Sequence, residues 1–474
     1  MQLFSPFSIA MLQRLEELTG AFANFAWGPP LVALLVGGGV FFVIISRFAP
    51  YRYIGHAVAI LTGKYDDEEA EGDINHFQAL SAALAATVGM GNIGGVAVAI
   101  TMGGPGAIFW MWVSALVGMA TKFFTCTLAI MYRGKDSEGK LQGGPMYVIR
   151  EGLGKKWTPM AYFFSFCGLI GCLPIFQSNQ LTQIVRDTVL VPLSLTSPEA
   201  HFTSDFITGI LLMILVAIVI FGGIKRIGTV AATLVPFMVV LYVAGVFYII
   251  LTHIGELPYY LSLIVTDAFR GDYVNSESVF GGALGAVIIT GIRRAAFSNE
   301  AGIGTESMAH GAAKTSEPVR EGLVAMLEPA IDTLLVCTMT ALAILMTGVW
   351  LNTDMDGVTL TAMAFSEGIP YLGLPILILC VVIFALTTMF TYSYYGSKCL
   401  SFMLGAGKKH AFNYFYILSV VFGAVASIGA VINIIDSSFA MMAIPTMLST
   451  IILAPKVVAA AKDYFVRYRS GCFD

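Results

Sequence analysis

Residues 87–95 read TVGMGNIGG. Four glycines and an asparagine sit inside a run, 77–101, that is otherwise apolar enough to cross a bilayer. Glycine costs about 1 kcal/mol relative to alanine inside a helix. In lipid, a backbone that leaves its helix must find hydrogen-bond partners within the protein or its cargo. The stretch therefore predicts a helix broken at membrane depth, with main-chain N–H and C=O groups freed for a ligand.

The rest of the chain supports a membrane setting. Its 474 residues are 57% hydrophobic and only 12% charged, with a mean hydropathy of +0.80. A soluble domain carries about 25% charged residues. The net charge of −4 and the lack of a basic arm exclude a nucleic-acid partner. Seven cysteines lie mostly in apolar runs, with no zinc-type spacing, and read as small buried hydrophobes. The first apolar run begins near Leu31, behind Glu16 and Glu17, and reads as a span rather than a cleaved leader. The segment around Met11, Leu15 and Leu18 reads as a short interfacial helix.

Stretches of crossing length lie near 31–46, 77–101, 107–131, 158–185, 206–222, 229–251, 279–297, 322–347, 373–397, 413–431 and 438–458. Eleven helices follow, an all-α polytopic protein. Alternate loops are basic: 22 of the 26 Lys and Arg residues fall on one set, Arg14, Arg186 and Arg270 on the other, and Lys122 within a span. The positive-inside rule then places the N-terminus outside and the C-terminus in the cytoplasm.

Beyond an N-terminal segment (1–30) and an extra helix with its loop (31–76), ten helices divide into two fives. These occupy 77–251 and 262–458, joined by 252–261 and followed by a tail, 459–474. Two five-helix units of opposite orientation form an inverted repeat. The first helix of the second unit carries VFGGALGAV (279–287), which reads as a second break matching the first. Paired interruptions point to a transporter binding site. Glycines of this kind also serve close helix packing, and that alternative stands beside the first.

Four longer stretches carry a resemblance. GNIGGVAVAITMGGPGAIFWMWV (91–113), YRGKDSEGKLQGGPMY (132–147), RRAAFSNEAGIGTES (293–307) and IDTLLVCTMTALAILMTGVW (331–350) resemble the alanine/glycine:cation symporters, the sodium:alanine symporter family. The likeness covers about 30–460 and implies the leucine-transporter fold. One departure is Thr125 in TKFFTC (121–126), where the family usually carries a glutamate. FALTTMFTYSYYG (384–396) is similar to the eighth helix of the neurotransmitter:sodium symporters.

This resemblance implies a sodium site made of the Thr387 and Thr388 hydroxyls and the carbonyls of Ala85, Val88 and Phe384. Such a hard cation takes oxygen ligands. The two threonines could instead simply bond the preceding helical turn. An amino-acid carboxylate is expected at the amides of Gly89, Met90 and Gly91, helped by Asn92. Its ammonium is expected at carbonyls near Gly281 and Gly282 and at Thr87. Leu284, Thr388 and Tyr392 would bound the side-chain pocket, and Gln177 would reach it from the third core helix.

Glu328, Asp332 and Asp436 are intramembrane acids that need partners; a structural role is the first reading, and a proton relay is the functional alternative. Asp332 is expected to pair with Lys122, which otherwise snorkels to the interface. SNEAGIG (298–304) reads as an inner surface turn, with Glu300 pairing to a nearby arginine.

The expected function is sodium-coupled import of a small neutral amino acid, alanine or glycine, across a bacterial inner membrane. The protein would act as a monomer, with no cofactor beyond the coupling ion. Proton coupling is the near alternative. A channel would want a continuous polar lining, and an enzyme would want clustered catalytic groups at depth.

Overall fold

The computed structural model describes residues 6–67, 69–197, 200–274, 282–351 and 357–473. The chain is a bundle of helices. Among the described residues, seven helices are long and apolar enough to span a membrane, and two further pairs qualify as bent spans.

In chain order the elements are α1 (Pro6–Ala26), α2 (Pro29–Ile45), α3 (Ile54–Leu61), α4 (His76–Thr87), α5 (Gly91–Gly103) and α6 (Gly106–Met131). Next come α7 (Lys155–Leu190), α8 (Phe202–Ile220), α9 (Gly223–Thr252), α10 (Leu257–Asp267), α11 (Gly282–Asn299) and α12 (Glu306–His310). The last are α13 (Pro318–Met346), α14 (Gly357–Gly368), α15 (Gly373–Leu404), α16 (Lys409–Val425) and α17 (Ile428–Arg469). The bent pairs are α1 with α2 and α4 with α5. The described residues thus supply seven to nine spans by length and apolarity, against the eleven read from hydropathy; α11 and α16 fall where the remaining two were expected but do not qualify.

Local chemistry sets the helix that matters most. Asn75 caps α4: its side chain accepts from the Gln78 amide at 2.8 Å, and Gln78 returns the bond to the Asn75 amide at 3.2 Å. At the other end, Val88 swings to ψ +89° and the helix stops. The chain resumes as α5, bent by 51° and opening with a wide, π-type turn over Gly91–Gly95.

Inner and outer helices differ in burial. Of the span window in α6, 83% is buried, against 28% in α8. The exposed face of α8 carries Ile207, Leu211, Ile214, Leu215 and Ile218, and that of α16 carries Tyr414, Phe415, Leu418 and Phe422. These are lipid-facing surfaces. The inner layer is α4, α5, α6, α11, α12, α13 and the middle of α15.

Two expectations change here. Residues 279–281 of the interruption expected at 279–287 lie outside the described residues; Gly282, with φ of +60°, opens a helix that runs unbroken to Asn299. The break comes at the far end of α11, over residues 300–305, where Glu300, Gly302 and Gly304 take φ of +56°, +87° and +99°. SNEAGIG is thus no surface turn. Asn299, Glu300, Thr305 and Glu306 are all fully buried. Hydroxyl donors described below offset the burial of the Glu300 carboxylate.

The N-terminal helix α1 is longer than the short segment expected around Met11, Leu15 and Leu18. It packs along α17 and bends by 45° into α2. The basic loops cluster at one end of the bundle, called the basic end below. Arg293 and Arg294 are not among them: they sit within α11 and pair with Asp436 of α17.

Candidate functional site

The two breaks meet in the middle of the bundle. A Cβ placed on Gly91 would stand 3.3 Å from the Cα of Ser298 and 3.4 Å from the Phe297 ring. With no Cβ, Gly91 lets the start of α5 lie this close to the end of α11 without the few tenths of an ångström of give that a side chain would require. Phe297 in turn meets Phe176 of α7 edge-on at 4.9 Å, so α7 joins the same centre.

Polar groups tie the breaks together. The Asn92 Oδ1 accepts the Gly89 amide at 2.8 Å, and its Nδ2 donates to Asp332 Oδ1 at 2.6 Å. Asp332 Oδ2 accepts from Ser298 Oγ at 2.8 Å and from Thr333 Oγ1 at 2.7 Å. One buried carboxylate on α13 therefore holds residues from both broken helices. At the second break, Glu300 accepts from the Tyr392 hydroxyl at 2.5 Å and from the Thr305 hydroxyl. Neither acid has the partner expected from sequence: Asp332 does not pair with Lys122, nor Glu300 with an arginine. Lys122 does not snorkel. It is fully buried, with Nζ 2.6 Å from Glu328.

The residues expected at the ion site fall together. A Cβ on Gly89 would come within 2.5 Å of Thr388 Oγ1 and 3.7 Å of the Phe384 carbonyl. That places the middle of α15 directly against the first break, beside the buried Ala85 and Val88. Thr388 Oγ1 donates to the Phe384 carbonyl at 2.9 Å, and Thr387 Oγ1 to the Ile383 carbonyl at 2.9 Å. The helical-turn bonds open as an alternative are thus present. They leave each hydroxyl's lone pairs available to a cation.

Of the expected cargo residues, Thr87, Gly89, Met90, Gly91, Asn92, Gln177, Thr388 and Tyr392 are buried at or beside this centre. Besides Asn92, Thr388 and Tyr392, whose bonds are given above, the Gly89 amide is engaged by Asn92 and Thr87 Oγ1 by Glu328 at 2.9 Å. Gln177 Oε1 is buried without a hydrogen-bond partner among the described residues. Gly282 and Leu284 do not join the centre. They lie at the start of α11, where Leu284 is 40% exposed. Once the break moves to the other end of α11, its start has no reason to line a site.

Sequence reasoning missed Ser298, Glu300 and Thr305 as core groups. The signal was present as SNEAGIGT, a second cluster of small and polar residues after an apolar run. It also left open what replaces the usual glutamate at position 125. Thr125 donates to Glu306 Oε1 at 2.8 Å. A glutamate at 125 would set two carboxylates against each other there.

The two ends of the bundle differ. Away from the basic end, Asp436 gathers Arg293 and Arg294, Arg293 reaches Asn24 Oδ1 at 3.0 Å, and Trp27 Nε1 bonds the Asp436 carbonyl at 2.9 Å. These contacts pin α11 to α17 and α1. At the basic end a cleft of about 620 Å³ runs between Lys140 and Lys225 at its mouth and Ser393, Ser397 and Lys398 on α15.

This arrangement, two broken helices apposed inside a helical bundle, defines a multi-pass membrane transporter of the leucine-transporter fold, not an enzyme. The solved structure of MhsT in complex with L-phenylalanine has the same fold, with a TM-score of 0.57 at 14% identity, covering 82% of this chain and 98% of that one. The chain belongs to the sodium:alanine symporter family, whose model it matches over residues 12–473. It is 38% identical to an uncharacterized transporter of Haemophilus influenzae, over 97% of this chain and 98% of that protein. It is also 38% identical to the sodium/alanine symporter AgcS of Methanococcus maripaludis, over 94% and 97%.

Proposed function

We propose that this protein imports a small neutral amino acid, alanine or glycine, together with sodium, by alternating access. The observation that carries the reading is the contact of Gly91 with Ser298, which sets the two broken helices against one another in a buried polar centre. The amides of Met90 and Gly91, at the positive end of α5, suit a carboxylate. The unpartnered Gln177 oxygen and carbonyls at the second break suit an ammonium. This replaces the Gly281 and Gly282 carbonyls first expected. Tyr392 and Thr388 bound a space that Phe297 keeps small.

Sodium would take oxygens from Ala85, Val88, Phe384, Thr387 and Thr388. One sodium ion entering across 100 mV supplies about 2.3 kcal/mol before its concentration gradient is counted. The basic end is cytoplasmic in this reading, with the N-terminus outside and a bacterial inner membrane around the bundle. Without Arg293 and Arg294, 20 of the 26 basic residues still favour that side. Asp436 and its arginines then close the outer path while the cleft opens inward.

The test is uptake of labelled alanine into cells or proteoliposomes with sodium replaced by choline. Sodium-dependent accumulation against a gradient is expected. Undiminished accumulation in choline refutes sodium as the driving ion, and equilibration without accumulation refutes active transport.

A further inference from the structure

A second set of buried ionisable groups lies between the first break and the basic end. His76, the first residue of α4, bonds Glu321 through Nδ1. The other Glu321 oxygen lies 2.5 Å from His310 Nδ1. His310 Nε2 faces Glu328 Oε2 at 3.8 Å. Glu328 also holds Lys122 and accepts the Thr87 hydroxyl at the first break. All five ionisable groups are essentially inaccessible. His76 Nε2 has no hydrogen-bond partner among the described residues. Its neighbours Asn75 and Gln78 line a small cleft with Asp66, Asp67 and Asp73 at the basic end.

Imidazole and carboxylate alternate along this line, and each bridging group is contacted at both of its polar atoms. Charge balance adds a second argument. Among the described residues the set holds one ammonium, Lys122, which faces Glu328 and Glu306, while the third carboxylate, Glu321, lies between the two imidazoles, and Glu306 Oε2 has no hydrogen-bond partner. Uncompensated charge at this depth is costly. Two protons, one on each imidazole, neutralise the set. The other titratable or charged groups acting on it are Cys126 on α6, Arg133 just beyond α6, Glu300 at the second break, Asp332 on α13 and Tyr395 on α15.

We propose that the line His76–Glu321–His310–Glu328 is a proton-binding path from water at the basic end to the wall of the first break, and that each transport cycle exchanges one proton through it. In each transfer one N–H or O–H bond breaks as the next forms, so a single proton moves and no other reactant is needed. The one gap not closed by a hydrogen bond is the 3.8 Å between His310 and Glu328. His310 ends α12, the half-helix beyond the second break, whereas Glu328 sits on α13. Movement of α12 about that break closes or widens the gap, which ties the proton step to the rocking of the bundle. The proposal rests on the reading of the chain as an amino-acid transporter, and not on sodium as its driving ion.

The experiment uses the purified full chain in liposomes with a pH-sensitive dye inside and equal sodium on both sides. Adding alanine outside is expected to change the internal pH by about one proton per alanine taken up. His310→Gln is expected to abolish that signal while alanine/alanine exchange, which needs no net proton movement, continues. His76→Gln is expected to slow it. Wild-type uptake with no pH change overturns the proposal, as does an unchanged signal in both variants. A wild type that neither takes up nor exchanges alanine counts against the proposed cargo instead. The path is then judged by histidine-ring NMR of the full chain in nanodiscs. The two rings, assigned with the same variants, are expected to exchange their ring N–H protons with bulk water, and to do so more slowly in Glu321→Gln. Rings whose N–H protons do not exchange, or exchange equally in that variant, overturn it.

Discussion

Replacing Gly89 with alanine tests the join between the first break and α15. Gly89 has no positive φ, so alanine brings no backbone strain. Its methyl group, however, would stand 2.5 Å from Thr388 Oγ1, about an ångström inside ordinary contact. Thr388 is buried and bonded to its own helical turn, so it cannot swing into solvent. Either the hydroxyl turns away or α15 moves back. Overpacking of this kind costs about 1–3 kcal/mol.

If Thr388 is a sodium ligand, that cost falls on the ion-bound state. The sodium concentration for half-maximal alanine uptake should then rise roughly 5- to 150-fold. The assay is sodium-dependent uptake in proteoliposomes, with thermal melting of the detergent-solubilised protein alongside. The double variant Gly89→Ala/Thr388→Ala removes the clash but not the lost ligand. Its melting temperature should recover towards wild type while its sodium requirement stays high. Wild-type sodium dependence in Gly89→Ala would refute the reasoning, as would full recovery of that dependence in the double variant.

Four further outcomes are expected. Thr387→Ala and Thr388→Ala should each raise the sodium concentration needed for half-maximal uptake, with membrane expression unchanged by blotting. Gly91→Val should abolish uptake without loss of membrane insertion, because its side chain meets Ser298 and Phe297 at 3.3–3.5 Å. Lys122→Met leaves Glu328 uncompensated and should destabilise the fold by about 3–5 kcal/mol, whereas Lys122→Met/Glu328→Gln should recover much of that loss in a melting assay.

His56 of α3 lies outside the spans, buried against Tyr464 with Nε2 2.7 Å from its hydroxyl. Burial, then Arg320 and Lys64, hold its pKa down from 6.5 to about 4. The unfolded ring thus binds a proton that the folded ring refuses. Stability from this contact is full above about pH 6.5 and declines as pH falls towards 4. Hydrogen exchange over residues 54–61, corrected for intrinsic rate, should therefore be faster at pH 5 than at pH 7.5, and equal protection at both would count against it.

Most of the helices were legible because hydropathy and the alternation of basic loops report on each span separately. The first break was legible because its glycines stand in an apolar run. The second was misplaced for the converse reason. Gly282 and Gly285 catch the eye in VFGGALGAV, yet the described chain is helical onward from Gly282, whose φ is +60°, while the interruption at the far end of α11 hides a glutamate that reads as surface. The cysteines show the same split: six are buried, as their apolar settings implied, and Cys472 in the tail is exposed.

By itself, the sequence determined that this chain is a helical membrane protein with a broken first core helix and a polar patch on α15. Those features are local, since lipid forces each helix to close its hydrogen bonds within a few residues. Only the tertiary structure decided which acid meets which partner. Asn92 finds Asp332 and Thr87 finds Glu328 across some 240 positions of chain. Lys122 takes Glu328 rather than Asp332 because helix packing, not spacing along the chain, sets which buried charges lie within reach.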